Sequence, residues 1–371
     1  MAVNAIQIYA AFDYWQIANV TIHYDPVSDN HPILAQAIIY RGPAAGQCLM
    51  ACEYVTHQEV YERPHSWPEL VAVRVKAKLL EEYKRVTMGV EIPPPPQQTV
   101  DAIYQRYENN APPEWREHLG ASVIGHECQR ALWYGFRWAT STQYNGRMLR
   151  LFDTGHRQEG RMIKDLRDVG VTVLDIDPAT GKQWRVSDYS GHFGGSMDAL
   201  IVSGLKEAPK TEHVAEFKTH NSKSFEKLKK KGVKEAKPEH YAQMQIYMGM
   251  KGIGRAFYLA VCKDTDELHS ERIQFNRDAF DVLKTKAKYV INSARPLTPI
   301  DDKRACLTCT YCNHIKVCTG AAKPEKNCRT CRHAIVSIDS PWICGTDGKA
   351  LSLDDQVIGC DQYEPNKEIS A

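Results

Sequence analysis

Residues 195–220 read GSMDALIVSGLKEAPKTEHVAEFKTH and contain two strand-like runs joined by a turn-rich segment. The runs around Asp198 and Glu216 are apolar and β-branched, and Gly204 in the connection favours a hairpin. If the turn centres near Glu207, Asp198 and Glu216 are equidistant from it and lie opposite each other on antiparallel strands. Opposed Cβ atoms are about 4.5–5.5 Å apart, so the sequence predicts two carboxylates able to grip one cation.

Lys218 joins this pair, because side chains alternate along a strand and residues 216 and 218 share a face. Carboxylate oxygens suit Mg²⁺ or Mn²⁺, which can activate water and offset charge on a phosphodiester, while an ammonium can steady the hydroxide or the phosphate. Glu-x-Lys alone is a weak signal where 25% of residues are charged, and a cross-strand ion pair is the simpler interpretation.

Two flanking helical segments favour the metal site over the ion pair. In LRLFDTGHRQEGRMIKDL, His156 shares a helical face with Glu159 and precedes the acidic strands, which makes it a candidate metal ligand. In PEHYAQMQIYMGM, the residues His240, Gln243 and Tyr247 share a face and could orient a phosphate or a water. Alone, the second segment would be a polar stripe on an amphipathic helix.

Helix and strand patterns alternate around this hairpin, and that order predicts an α/β fold with a central mixed sheet flanked by helices. Apolar runs near the N-terminus predict a separate α/β accessory unit, and four prolines (93–96) mark a linker. The predicted domains are an accessory domain (1–91), a Pro-rich linker and helix (92–117), a main domain (118–320) and a cysteine-rich module with its tail (321–371).

Composition narrows the class of protein. The 371 residues carry 47 Lys+Arg and 45 Asp+Glu, a net charge of +2, so nucleic-acid binding must come from local patches. No stretch of 18 apolar residues and no secretion signal is present, which predicts a cytoplasmic protein without membrane association. No phosphate-cradling G-x4-G-K-[ST] loop is present either, so no ATPase motor is expected.

Eight of the 12 cysteines lie in the last 66 residues, where metal is the expected reason in a reducing compartment. Cys309, Cys312 and Cys318 follow the main domain as C-x2-C-x5-C, and Cys306 adds a further C-x2-C step. The second group has the four-thiolate content of a structural Zn²⁺ site and comprises Cys328, Cys331, Cys344 and Cys360. Trp342 is expected to fill a small core of that module.

A lysine-rich segment follows the second strand directly. Seven lysines lie between residues 223 and 237 against two glutamates. Such a run is usually a solvated face, but its place beside the proposed metal site favours phosphate contact. The predicted DNA-binding residues are Arg130, Lys223, Lys227, Lys229, Lys230 and Lys231.

These motifs, in this order, resemble the RecB-like branch of the PD-(D/E)XK nucleases over residues 118–320. The resemblance implies a restriction-endonuclease-like sheet and a catalytic set of Asp198, Glu216, Lys218, Gln243 and Tyr247. It implies that His156, Asp198, Glu216 and the Phe217 carbonyl bind Mg²⁺ or Mn²⁺. It further implies that Lys218 supports the nucleophile, while Gln243 and Tyr247 position substrate.

The resemblance extends to the iron–sulfur subgroup of this branch, in which one cysteine before the core and three after it bind a [4Fe-4S] cluster. It thereby implies Cys128, Cys309, Cys312 and Cys318 as ligands. The alternative is a local site of Cys306, Cys309, Cys312 and Cys318 that leaves Cys128 as a buried thiol.

The stretch HLGASVIGHECQRALWYGFRWA (118–139) is similar to phage-encoded exonucleases of this branch. The expected function is therefore a metal-dependent deoxyribonuclease, an exonuclease of phage or prophage type that acts in recombination or DNA degradation in the bacterial cytoplasm. A recombination or single-strand-binding protein is a candidate partner for residues 1–91. The alternatives are a CRISPR-adaptation-like nuclease and a non-catalytic DNA-binding scaffold with structural metals.

Overall fold

A computed structural model describes residues 15–23, 33–41, 48–55, 98–111 and 115–370, together with Glu62, Arg74, Ala77, Lys78 and Glu81. The chain divides into two compact units, Met1–Gln97 and Gln98–Ala371. The finer boundaries predicted at residues 91, 117 and 320 stay predictions.

The first unit contains an antiparallel sheet with the strand order β1-β2-β3. Its strands are β1 (Trp15–His23), β2 (Ile33–Arg41) and β3 (Cys48–Val55). The helical part of the predicted α/β accessory unit falls mostly outside the described residues.

The second unit contains all the site residues predicted above. Its strands are β4 (Leu119–Gly120), β5 (Thr172–Leu174), β6 (Ile176–Asp177), β7 (Lys182–Gln183), β8 (Arg185–Asp188), β9 (Phe193–Ser196), β10 (Ala199–Ser203), β11 (His213–His220), β12 (Arg255–Cys262), β13 (Leu268–Gln274), β14 (Ala334–Ser337) and β15 (Ser340–Cys344). Its helices are α1 (Gln98–Asn109), α2 (Gln129–Phe136), α3 (Gly146–Asp168), α4 (Ser222–Ala236), α5 (Pro238–Lys251), α6 (Arg277–Asn292), α7 (Leu307–Thr310), α8 (Ile315–Cys318) and α9 (Leu353–Ile358).

The central sheet has five strands in the order β13-β12-β11-β10-β5. The pair β11–β12 is parallel and the other pairs are antiparallel, so the sheet is mixed. One face packs against α3, whose Met162, Ile163 and Leu166 are buried against it. The other face packs against α4 and α5. The predicted α/β class, with a central mixed sheet flanked by helices, is confirmed.

Helix α3 has a defined start, because the Asn145 side chain accepts a hydrogen bond from the Met148 amide at 3.0 Å. The helix then runs for 23 residues and presents its apolar face to the sheet only in its second half. Its first half is therefore available to other contacts. No helix in the described ranges has the length and apolar character needed to cross a membrane.

The C-terminal residues do not form a core of their own, and the prediction for Trp342 is wrong in this respect. Trp342 is 2% exposed and belongs to the same buried cluster as Phe136 and Phe193. Its ring centroid lies 5.3 Å from that of Phe136, at the end of α2. This segment has few apolar residues. They bury more surface by joining an existing core than by making a new one.

Arg329 fastens the same segment. It is 2% exposed, and its guanidinium lies 3.7 Å from the centroid of the Trp138 ring. It donates to the carbonyls of Phe136 and Glu117, both at 2.8 Å, and to Gln356 Oε1 at 2.7 Å. Burial lowers the pKa of Arg329 to about 9, which leaves it charged at neutral pH.

The last residues return to α2. The Tyr134 hydroxyl donates to the Ile369 carbonyl at 2.8 Å, and Ile369 is fully buried. The Asn327 side chain donates to the Trp138 carbonyl at 3.0 Å. Helix α2 and the C-terminal residues of the second unit are thus parts of one core.

Candidate active site

The hairpin β10–β11 has the predicted register. Ala199 pairs with Ala215 and Leu200 with Val214, so one further step places Asp198 opposite Glu216. The turn is closed by a hydrogen bond from the Gly204 amide to the Pro209 carbonyl at 2.9 Å, and Gly204 has a φ of +94° that favours glycine.

Asp198 and Lys218 meet at the end of this hairpin. The Phe217 amide donates to Asp198 Oδ2 at 2.7 Å, and Lys218 Nζ lies 3.8 Å from the same oxygen. Lys218 Nζ also donates to Glu216 Oε1 and, at 3.2 Å, to the Phe217 carbonyl. The Lys218 ammonium therefore lies among the oxygens of Asp198, Glu216 and Phe217.

Glu216 is fully buried, which is expensive for a carboxylate. Its Oε2 atom has no hydrogen-bond partner among the residues that the structure describes. Burial raises the pKa of Glu216 well above its usual range. Burial alone would lower the pKa of Lys218, but the carboxylates of Glu216 and Asp198 outweigh it and raise that pKa to about 12. Lys218 is thus an ammonium, and Glu216 keeps an unused acceptor.

A third carboxylate, that of Glu159 on α3, interacts electrostatically with Asp198 and Glu216 and was not among the predicted site residues. Burial and the negative charge of Asp198 raise the pKa of Glu159 to about 7, and the charge of Lys218 also acts on it. The predicted ligand His156 is exposed, one helical turn earlier on α3. His156 and Glu159 share one face of this helix. The sequence predicts a ligand on that face, and the prediction selects His156 rather than Glu159.

Gln243 and Tyr247 lie on α5, at 5% and 1% exposure. The Tyr247 hydroxyl donates to the Ser196 carbonyl at 2.7 Å, and Gln243 Nε2 lies 3.4 Å from that hydroxyl. A Cβ atom at Gly195 would come within 2.7 Å of the same hydroxyl, so only glycine permits this approach. Tyr247 therefore fixes the backbone that leads into Asp198.

A buried hydrogen-bond network lies beside Glu216. Tyr258 pairs with Glu216 across β11–β12, and its hydroxyl lies 2.9 Å from both His220 Nε2 and His240 Nδ1. His220 Nδ1 is 3.2 Å from Ser224 Oγ, which also accepts from Lys237 Nζ at 2.6 Å. Burial lowers the pKa of His220 to about 4 and that of His240 to about 3, so both are neutral at pH 7.

These two histidines predict a loss of stability in mild acid. In the unfolded chain each of these histidines takes up a proton near its ordinary pKa of about 6.5, whereas in the folded chain it stays neutral at that pH. The unfolding free energy therefore falls as the pH drops below about 6.5. Each histidine should contribute a loss of about 1.4 kcal/mol between pH 7.5 and 5.5. In urea unfolding, His240→Gln should lose correspondingly less over this range than the wild type. The exposed His156→Gln is the control, and equal pH dependence in all three proteins would contradict the prediction.

The predicted DNA-binding lysines lie on α4, immediately after β11. Lys223, Lys227 and Lys230 are exposed and follow one helical face. Two other lysines of the set are engaged in ion pairs. Lys229 lies 2.6 Å from Glu267, and Lys231 contacts Glu235.

Arg130 does not join these lysines. It is 7% exposed, and its guanidinium donates to the Tyr134 hydroxyl at 3.2 Å and to the Leu297 carbonyl at 3.5 Å. A phosphate has no access to a guanidinium in this position. We therefore do not retain Arg130 as a DNA contact.

The first cysteine group surrounds a small cavity. Its walls include the thiols of four cysteines, Cys128, Cys309, Cys312 and Cys318. Arg304 Nε lies 3.4 Å from Cys318 Sγ. Cys306 does not line this cavity; its Sγ accepts from the Cys309 amide at 3.4 Å and caps α7. Its sulfur also lies within 4.8 Å of ligand atoms of Cys309 and Asp301, but the Asp301 carboxylate already accepts from the amides of Ala305 and Cys306.

In the second cysteine group, the other three cysteines are near enough to act electrostatically on Cys328. Burial, with the neighbouring Cys360, Cys331 and Cys344, raises the pKa of the Cys328 thiol to about 11. Cys328 and Cys331 belong to one 3₁₀ turn and its end, and Cys344 ends β15. A cysteine binds a metal as its thiolate. A bound cation would therefore have to stabilise the ionised form of the Cys328 thiol.

No known protein family and no curated protein matches this sequence. Solved structures with some likeness include the alkaline exonuclease LHK-Exo from Laribacter hongkongensis, at 18% identity over 50% of this chain and 90% of that chain, with a TM-score of 0.34. LHK-Exo in complex with dAMP matches at 15% identity over 51% and 89%, with a TM-score of 0.33. The protein SSO0001 matches at 13% identity over 61% and 98%, with a TM-score of 0.36. These likenesses are remote, so the function is derived from the residues of the site.

Proposed function

We propose that this chain is a nuclease that hydrolyses the phosphodiester bonds of DNA with the help of Mg²⁺ or Mn²⁺. The observation that carries the proposal is the charge of the site. The carboxylates of Asp198 and Glu216 lie beside one ammonium, that of Lys218, and the charge of a third carboxylate, Glu159, acts on both of them. When all are ionised, a deficit of two charges remains, and a divalent cation balances it.

The donor set fits such a cation. The ligands would be the carboxylates of Asp198 and Glu216 and the Phe217 carbonyl, the same oxygens that Lys218 Nζ contacts. Glu216 Oε2 offers an acceptor without a partner among the described residues. Glu159 would be a further ligand, and His156 stays a predicted one. When bound, the cation supplies charge stabilisation for the phosphate and acidifies a water.

The remaining residues of the site hold Asp198 in place or bind the phosphate. The Lys218 ammonium is placed to hydrogen-bond a phosphate oxygen or the attacking hydroxide. The Phe217 amide holds one Asp198 oxygen, which leaves the other for the cation. Tyr247 acts through the Ser196 carbonyl on the segment before Asp198, and is a positioning residue. Lys223, Lys227 and Lys230, exposed on α4 directly after β11, would bind the phosphate backbone.

The finer form of the proposal is an exonuclease of phage or prophage type that acts in recombination or DNA degradation, which the similarity of residues 118–139 supports. A time course on end-labelled DNA with Mg²⁺, Mn²⁺ or EDTA tests it. Release of labelled mononucleotides from the start, only with metal, is expected. DNA that is bound but stays uncut with either metal would favour the non-catalytic scaffold instead.

We further propose a [4Fe-4S] cluster on Cys128, Cys309, Cys312 and Cys318, and Zn²⁺ on Cys328, Cys331, Cys344 and Cys360. The shared cavity of the first four thiols supports the first assignment, and the proximity of the second four supports the other. The cluster would join α2 to the end of the domain.

The cluster proposal predicts which cysteine is dispensable. In protein prepared without oxygen, Cys128→Ser should lose most of its iron and its absorbance near ~400 nm, whereas Cys306→Ser should keep both. Iron and zinc are measured by elemental analysis on the same samples, and zinc should be unchanged. The opposite pattern, with iron lost from Cys306→Ser alone, would establish the local four-cysteine site instead.

A further inference from the structure

A wide groove of about 1260 Å³ lies between the N-terminal half of α3, α2 and the segment 307–314. Aromatic side chains line much of it, among them Trp115, Tyr144, Phe152 and Tyr311. Its volume exceeds the usual range of a small-molecule pocket, about 300–1,000 Å³. The groove is therefore suited to an extended ligand.

Three of these aromatic side chains are not used to build the core. Tyr144 is 45% exposed, Phe152 is 41% exposed and Tyr311 is 79% exposed. Tyr144 and Phe152 form an edge-to-face pair with ring centroids 5.0 Å apart. Exposed aromatic rings grouped around one groove indicate an interaction site, because a lone domain gains nothing from leaving them in water.

Helix α3 links the groove to the candidate active site, because Phe152 lines the groove and the charge of Glu159, on the same helix, acts on Asp198. Phe152, His156 and Glu159 lie at i, i+4 and i+7 and share one face of that helix. Phe152 thus lies about 10 Å along the helix axis from Glu159. Arg116 also lines the groove, and its charge acts on Tyr247.

We propose that this groove, the aromatic groove, binds unpaired nucleotides of the strand whose phosphodiester lies at Asp198, Glu216 and Lys218. The inference rests on the proposed function and adds to it a strand class, single-stranded or frayed DNA. Bases stack on aromatic faces without sequence preference, and such stacking needs bases that are not already stacked in a duplex.

The charges of the groove agree with this occupant. Arg116 is exposed and supplies a cation to the groove. The acidic lining residue Glu108 is engaged, because its carboxylate accepts from the Gly146 amide at 2.6 Å. Polar side chains such as Gln143 and Asn313 alternate with the rings and offer hydrogen bonds to bases or sugars. Every nucleotide of a strand carries both a ring that can stack on the lining and a negative charge.

The test is direct binding in EDTA, which prevents cleavage, with a short fluorescein-labelled single strand and the blunt duplex of the same sequence at one salt concentration. Phe152→Ala and Tyr144→Ala should each bind the single strand about 5- to 100-fold more weakly. Phe152→Trp should keep wild-type affinity, and duplex binding should change less than twofold. Tyr289→Ala is the matched control, because Tyr289 is 59% exposed on α6 and lies outside the groove.

Wild-type affinity for the single strand in Phe152→Ala and Tyr144→Ala would overturn the inference. So would an equal loss of single-strand and duplex binding, or an equal loss in Tyr289→Ala. Cleavage is then measured separately with Mn²⁺. A protein that binds single strands through these rings but never cuts them supports the groove and contradicts the nuclease. A protein that cuts DNA, but whose single-strand binding does not depend on these rings, supports the nuclease and contradicts the groove.

Discussion

Glu216→Gln should cut DNA about a thousandfold more slowly than the wild type at saturating Mn²⁺, while the protein stays folded. Glutamine has the same shape, so the side chain still fills its buried place in the middle of β11 and can still accept from Lys218. It carries no charge, so the site loses one of the two carboxylates that face each other across β10–β11. Rates are measured on end-labelled DNA, and thermal melting reports the fold.

Metal titration gives this prediction a second readout. Mn²⁺ should raise the melting temperature of the wild type, because it binds the folded site and not the unfolded chain. The shift should be mostly absent in Glu216→Gln. Glu226→Gln is the matched control, since Glu226 is an exposed residue of α4 that lies 3.4 Å from Lys229. Full activity in Glu216→Gln would contradict both the metal site and the nuclease.

Arg329→Met should lower the unfolding free energy by about 3–5 kcal/mol. The change removes the donors of the Phe136 and Glu117 carbonyls and of Gln356, and it removes the cation that lies on the Trp138 ring. Methionine fills part of the space but satisfies none of these acceptors. Urea unfolding of the two proteins under the same metal conditions measures the difference.

Arg332→Met is the control for that experiment, three residues away. The Arg332 side chain is 56% exposed and pairs with Glu364 at 2.8 Å, so its loss should cost less than about 1 kcal/mol. If Arg329→Met unfolds at the same urea concentration as Arg332→Met, the buried guanidinium is not what fastens the C-terminal segment to α2.

The hairpin was predictable because its geometry is local. A symmetrical turn around Glu207 fixes which residues face each other, and alternation then fixes Lys218. Glu159 was missed for the opposite reason. The sequence identifies a polar face on α3, but only the packing of Met162 and Ile163 on the sheet decides which turn of that face reaches Asp198.

Cations and aromatic residues were harder to place, because the sequence does not show what surrounds them. Arg130 and the lysines of α4 are equally basic, yet the structure buries the arginine beside the cysteine cavity and exposes Lys227. Trp342 was assigned to a core of its own, since nothing in a linear pattern reveals that Phe136 would pack against it.

The return of the C-terminal residues to α2 also has a consequence for how this protein is made. Tyr134 and Ile369, joined by a hydrogen bond, are 235 positions apart in the chain. At a synthesis rate of about 5–20 residues per second, α2 waits roughly ten to fifty seconds for the residues that cover it. During that time the Tyr134 hydroxyl lacks the Ile369 carbonyl as its acceptor. Closing so long a loop costs conformational entropy before any contact compensates for it, so this contact is expected to form late in the assembly of the core.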